Sequence, residues 1–520
     1  MRKYYVWALA CLFFIGAGAA DGQEEPQAIR YFIEKIDFNI EGRTHSSAIL
    51  RAGNFTIGTE FADKEALDLF IKEKTQVLRN HLQLETALIE YTEDEFDAGD
   101  ERCGVTLLIT TVDTVNFVVL PQPKFDSNGG FEMFFKIRDY NFLGSLTPLG
   151  IDIGFMLDDF HLGDFSKGKY VLDIEANYPF RALGYNWNVS FNAGFAYVVG
   201  EPFSFTNVTG LSLDIPVQDT TLTFGFDQGT VIEEEYFMFE KQYHENIFED
   251  IQYMYSKMYG RWNIPLGIKV PVLGELVYKP EISGKINYRL GGADLGYRHG
   301  PILGLTQKIG FNNINRVENF REGVILSVEN SNEYNINFTE LNNNITFLAK
   351  GHKMLGGIAG ISGRLRYKQW FNDPENFRDR DRAEAGNMLR GIRDRALSAN
   401  NMLSLNLDFP VHVINFEPAT WFNVSWFSYF HFEIMLSPLI DMAFMNGKLS
   451  DYYGKPVKDM AFTPDDFMVT GGIEMLAFPL KWRNLVFRCS FAVNIMEWAK
   501  TENFPSGDNQ EIYIGLDFFY

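Results

Sequence analysis

The sequence predicts a β-barrel that crosses a membrane, preceded by a small α+β domain. Three observations predict it. The first is alternation. In GIDIGFML, Ile151, Ile153, Phe155 and Leu157 share one face. In KYVLDIEANY, Tyr170, Leu172, Ile174, Ala176 and Tyr178 oppose Asp173, Glu175 and Asn177. In YNWNVSFNAGFAY, Trp187, Val189, Phe191, Ala193 and Phe195 alternate with Asn188, Ser190, Asn192 and Gly194. Period two with one apolar face is the signature of a strand. The second is composition: 15% of residues are aromatic. They gather near strand ends, as interfacial girdles do, and the opposite faces carry the Asn, Ser, Asp and Lys of a wet lumen. The third is export without helical spans. The chain begins with an export signal, and no run of 18 apolar residues follows it, so membrane crossing falls to strands.

The elements follow in order. MRKYYVWALACLFFIGAGAADGQ has a positive start at Arg2 and Lys3, a short apolar run from Val6 to Ile15, and a small-residue cleavage site at Ala17-Gly18-Ala19. The run is too short to span a bilayer, so residues 1–20 read as a secretory signal peptide. Cys11 lies inside the apolar run, not just after it, and reads as part of the signal, not as a lipid anchor.

Residues 30–114 have a different texture. RYFIEKIDFNIEG alternates through Phe32, Ile36, Phe38 and Ile40. HSSAILRAG predicts a short helix closed by Gly53. FADKEALDLFIKEKTQVLRNHL predicts a second helix, capped at Asp63, with Leu67, Phe70, Ile71, Lys74, Val77 and Leu78 at helical spacing. ETALIEYTE and VTLLITTVDT are two further strands. The order strand, helix, helix, strand, strand defines a small α+β domain. EDEFDAGDER, between its last two strands, reads as a solvated hairpin tip in preference to a calcium site.

From Phe117 to Tyr520 strands recur, as in TLTFGFD, ELVYKPEISGKINY, ISGRLRYKQW, NMLSLNLDF, VTGGIEML and LVFRCSFAVNI. At roughly 25 residues per strand and connection, residues 117–520 make about 16 strands. A propeller is disfavoured because no blade-length repeat is visible. The chain ends on EIYIGLDFFY. An open sheet edge in hydrocarbon leaves backbone groups unpaired, so the last strand is expected to pair with the first and close the barrel.

Several functions are excluded or unsupported. The net charge of -22 argues against nucleic acid, whose phosphates need clustered Lys and Arg. Cys103 and Cys489 fall in different domains, so no structural disulfide is indicated. No CxxC, HExxH or paired Cys/His set proposes a metal, and no Ser/His/Asp set proposes an enzyme or a cofactor.

An α+β domain followed by such a barrel resembles the Bam/Tam outer-membrane assembly superfamily, the bacterial surface antigen type, whose periplasmic modules are POTRA domains. VLPQPKFDSNGGFEMFFKIRDYNFLGS resembles the family's entry into the barrel, with Asn141-Phe142-Leu143-Gly144. NMLRGIRDRALSANNMLSLNLDFP resembles its inward-folded outer loop and the strand after it, with Arg390-Gly391-Ile392 at the hallmark Arg-Gly-apolar position. Ile392 stands where an aromatic is usual. SPLIDMAF resembles the next strand, with Asp441 at the family's aspartate, and VTGGIEMLAFPL and EIYIGLDFFY resemble the last strands. The resemblance implies an outer-membrane insertase or translocase whose barrel seam opens to client proteins, with the POTRA domain in the periplasm of a diderm bacterium. It implies outer-membrane lipid and unfolded barrel proteins as partners, with periplasmic chaperones or accessory lipoproteins as possible helpers.

The loop motif also makes sense from its chemistry. Arg390 lies in RDRDRAEAGNMLRGIRDRA, a loop long enough to be functional or disordered. Folded into a lumen, its guanidinium needs carboxylates. Asp441 and Glu474, on polar faces of following strands, are the natural partners, and a bidentate pair would fix the loop as lysine would not. Gly391 would let the backbone turn sharply beside the wall. The alternative is a mobile surface loop with solvated charges. At the C-terminus, Tyr513, Gly515, Phe518 and Tyr520 match the outer-membrane targeting pattern common to such barrels. Gly515 either weakens a seam strand or packs beneath a bulky neighbour. Two other functions remain open: a passive channel or surface adhesin on the same barrel, and a two-partner secretion translocator. The latter normally carries two POTRA modules and a plug helix, for which residues 21–29 are too short.

Overall fold

The computed structural model describes residues 30–94, 102–127, 130–157, 168–199, 203–218, 220–234, 250–290, 300–371, 388–393, 397–422, 431–450, 456–480 and 485–516. The signal peptide, most of the acidic hairpin tip, Phe518 and Tyr520 lie outside them.

Six elements build the N-terminal unit: β1 (Arg30–Glu41), α1 (Ser46–Gly53), β2 (Glu60–Phe61), α2 (Lys64–Arg79), β3 (Leu84–Glu93) and β4 (Arg102–Asp113). The sheet order is β2-β1-β4-β3, with β1 parallel to β4 and β3 antiparallel to it. Ile33, Val105, Leu107 and Ile109 from the sheet meet Ile49 of α1 and Leu67 and Leu78 of α2 in one core. The α2 cap is Asp63, whose carboxylate accepts the Ala66 N–H at 2.8 Å. Helix α1 corrects an expectation. It is closed by Asn54 in the left-handed conformation (φ 50), and Gly53 is its last helical residue. A side chain at Gly53 would collide with the Phe55 ring, so that glycine serves packing. Strand β2 was not anticipated, because two residues cannot display alternation.

Residues beyond Phe117 close into an antiparallel barrel. Among the described residues it has 18 strands, more than the expected 16. The difference lies in the connections. Several hairpins turn in very few residues, as at Leu183-Gly184, where both φ angles are positive (54 and 82) and the strands Lys169–Ala182 and Tyr185–Val198 join directly. Shorter turns leave room for more strands.

The period-two reading maps onto the two faces. Val189, Leu211, Phe226 and Met258 lie opposite one another across four neighbouring strands and are all exposed, forming one row of an outward apolar belt. Inside, Glu281 holds Lys257 at 3.3 Å and Arg261 at 2.6 Å. Tyr255 and Tyr259 lie across Gly229 and Gly225 on the facing strand, covering backbone that has no side chain. Among the described residues no helix is long and apolar enough to cross a membrane.

The N-terminal unit is joined to the barrel rim through the Asn141-Phe142-Leu143-Gly144 turn. The Asn141 side chain is fully buried. It donates to Thr44 Oγ1 at 2.7 Å and Asp113 Oδ2 at 3.2 Å, and accepts the Leu146 N–H at 2.8 Å. Arg43 forks onto Asp139, and the His45 N–H donates to the Gly144 carbonyl. Leu146 itself enters the core of the N-terminal unit. About half-way round the sheet order, Asn80 at the end of α2 accepts the Arg316 N–H at 3.0 Å, and Gln76 donates to the Arg316 carbonyl at 3.3 Å. The unit therefore touches the rim at two well-separated points. Asn141→Ala takes the acceptor from the buried Leu146 N–H and removes the bonds to Thr44 and Asp113, at a cost of about 1–3 kcal/mol to the joint. Limited proteolysis should then cut faster around residues 114–116, with the barrel's resistance to SDS unchanged.

Candidate functional site: the inward loop and the seam

The described part of the long loop, residues 388–393, is packed against the inner wall. Leu389, Arg390 and Ile392 are each no more than 1% exposed. Apolar contacts place it first: Met388, Leu389 and Ile392 cluster with Met402, Ala443, Met445 and Met468 of the wall strands. Asn406 then donates to the Met388 carbonyl at 2.7 Å and is itself held by Arg364 Nε at 3.0 Å.

Arg390 makes the central contact. Its Nε donates to Asp441 Oδ2 at 2.9 Å and its Nη2 to Asp441 Oδ1 at 2.7 Å, a two-pronged fork. The Arg390 backbone N–H adds a third bond to the same carboxylate at 2.9 Å. Nη1 donates to Asp408 Oδ1 at 2.7 Å. Asp441 is fully buried, so each ion depends on the other to offset its lost hydration. Glu474 sits 3.9 Å from Nη1, within ion-pair distance but beyond a hydrogen bond. Its nearer cation is Arg488, with Nε at 3.1 Å.

Gly391 carries the loop toward the end of the chain. Its φ is +95, and a Cβ would lie 2.7 Å from the Val493 N and 2.9 Å from the Ala492 carbonyl carbon. Only glycine fits both the angle and the approach. Its N–H donates to Glu511 Oε2 at 3.1 Å, on the last described strand, Gln510–Gly515.

That strand meets the first barrel strand, Phe117–Asp126, to form the seam. Among the described residues the pairing consists of Tyr513 opposite Asp126 and Ile514 opposite Phe125, continued by the Ser127 N–H to the Ile512 carbonyl at 3.0 Å. Other neighbours share long ladders, as Phe320–Asn335 does with Glu340–Leu355 from Gly323 to Asn335. Tyr513 is buried, with the Arg488 guanidinium 4.1 Å above its ring centre. A Cβ on Gly515 would lie 2.6 Å from the Tyr513 hydroxyl, so this glycine makes room for the ring.

Thus Arg390, Gly391, Ile392, Asp441 and Glu474 are brought together, and Tyr513 joins them through Arg488. Asp408, Arg488, Glu511 and Asn406 also belong to this cluster, and none was singled out from sequence. The available signal was their place on polar faces: Asn406 and Asp408 alternate with Leu405 and Leu407, and Glu511 precedes the Ile512, Ile514 face. Among the described residues no cluster of His, Cys, Asp and Glu could hold a metal.

No family model and no curated protein matches the sequence. Among solved structures, CdiB from Acinetobacter baumannii superposes with a TM-score of 0.51 at 12% identity, covering 94% of this chain and 74% of that one. The chain has the fold of an outer-membrane β-barrel. BamA from Haemophilus ducreyi lacking POTRA domains 1-3 (TM-score 0.39, 14% identity, 94% of this chain and 85% of that one) and CdiB from Escherichia coli (TM-score 0.37, 8% identity, 96% and 92%) also align. These two superpose too loosely to carry an argument.

Proposed function

We propose that this chain is an outer-membrane insertase or translocase of the Bam/Tam type, with residues 30–114 as a periplasmic POTRA domain. The observation that carries the proposal is the linkage between loop and seam. The loop is clamped by Arg390 to the wall and by Gly391 to Glu511 on the last strand, while among the described residues that strand holds the first by few rungs. A barrel built only to be stable would have a fully paired seam and no need of such a clasp. An insertase needs a seam that parts and a second element that keeps the last strand in place when it does. A client's edge strand can then pair with the exposed strand by β-augmentation, with no covalent step. Strand β3, at the sheet edge of the N-terminal unit, is the proposed first contact for unfolded clients. Insertion is preferred over export because insertion at the seam leaves the wall-packed loop in place, whereas passage through the lumen would displace it.

The alternative is a passive channel or adhesin. Depletion of the protein followed by quantitative proteomics of the outer membrane separates the readings. Broad or selective loss of other barrels is expected. Unchanged barrel levels, together with steady single-channel conductance of the purified protein, would favour the channel.

A further inference from the structure

The first barrel strand reads FVVLPQPKFD and carries two prolines two residues apart. Their parity gives them a meaning. The Ser127 N–H points across the seam to Ile512, and Phe125 is paired with Ile514. Alternate residues of a strand send their backbone groups to the same side. Pro123 and Pro121 are the next two positions of that parity, so the donors they lack are donors toward the seam. Their register with the second strand, Gly130–Asp139, is unbroken, with Pro121 opposite Phe135 and Pro123 opposite Met133. Within sheets proline favours the unpaired side of an edge strand, and here that side is the seam. Among the described residues the ladder reaches Ile514 opposite Phe125, and Leu516, the position that faces Pro123 in that register, is a bend.

We propose that Pro121 and Pro123 are a zip stop. They give the last strand no donor at the two rungs beyond Phe125 and leave the first strand's seam edge with carbonyl acceptors alone there. On the insertase reading given above, this edge is where an extended client strand starts to pair. At the proline rungs it is held through its own N–H groups alone, so the strand can enter and later leave.

The test restores the donors in the full-length, membrane-inserted protein. Pro121→Val with Pro123→Val gives both positions an N–H and a strand-favouring side chain. Pro121→Ala with Pro123→Ala is the second pair, in case valine does not fit. Hydrogen–deuterium exchange of the first and last strands is the structural readout, and insertion of an unfolded barrel client into liposomes is the functional one. The expected result is at least tenfold slower exchange along the seam and several-fold slower insertion. Seam exchange equal to the parent's in whichever pair folds overturns the zip stop, even if the parent inserts clients normally. A slowed seam with no client insertion by parent or variant leaves the zip stop standing and removes the insertase reading.

Discussion

Arg390→Ala is expected to abolish client insertion while the barrel remains in the membrane at near-normal abundance. The substitution removes the fork onto Asp441 and the bond to Asp408, and leaves a fully buried carboxylate with one backbone N–H. Removing one partner of a buried ion pair costs about 3–5 kcal/mol, because the remaining charge has no compensation. A surface pair would be worth about 0–1 kcal/mol. The cost falls on the loop's attachment, since the barrel's strand ladders do not pass through Arg390. The loop should therefore become sensitive to protease added from outside the cell. Arg390→Lys should rescue only in part: an ammonium keeps the charge but loses the planar fork. A double-mutant cycle with Asp441→Asn should show strong coupling, and independent effects of the two changes would mean that the contact does not hold the loop.

Gly391→Val is expected to be nearly as damaging without changing any charge. A non-glycine residue at a φ of +95 costs about 1–3 kcal/mol in backbone strain, and its Cβ would press on the Val493 backbone. The loop must shift, and the bond from the Gly391 N–H to Glu511 is lost with it. The same external protease assay should report a freed loop. Gly391→Ala should give a smaller effect of the same kind. Full protection and full insertion in Gly391→Val would show that the last strand does not depend on the loop.

The barrel was legible because its two faces meet different solvents. Val189 and Phe191 had to alternate with Ser190 and Asn192, since one row faces outward and the other the lumen. The number of strands was not legible in the same way. It depends on turn lengths, and a turn such as Leu183-Gly184 carries little periodic signal. Two wall strands are also interrupted, one at Phe409-Pro410, where Leu397–Asp408 and Val411–Phe416 pair with the same neighbour. The Arg390–Asp441 contact could be anticipated because a guanidinium inside a lumen has few possible partners. Glu511 could not: it reaches Gly391 across 120 positions, and only the closed barrel brings its strand beside the loop. The prolines of the first strand were in plain sight, but their meaning required knowing which side of the strand faced the seam.

The most direct measurement is insertion by the purified protein in liposomes. An unfolded outer-membrane barrel is added, and its conversion to the SDS-resistant folded form is timed against empty liposomes of the same lipids. The account predicts a clear acceleration by the parent protein that is lost in both Arg390→Ala and Asp441→Asn. Equal rates with and without the parent protein would contradict it.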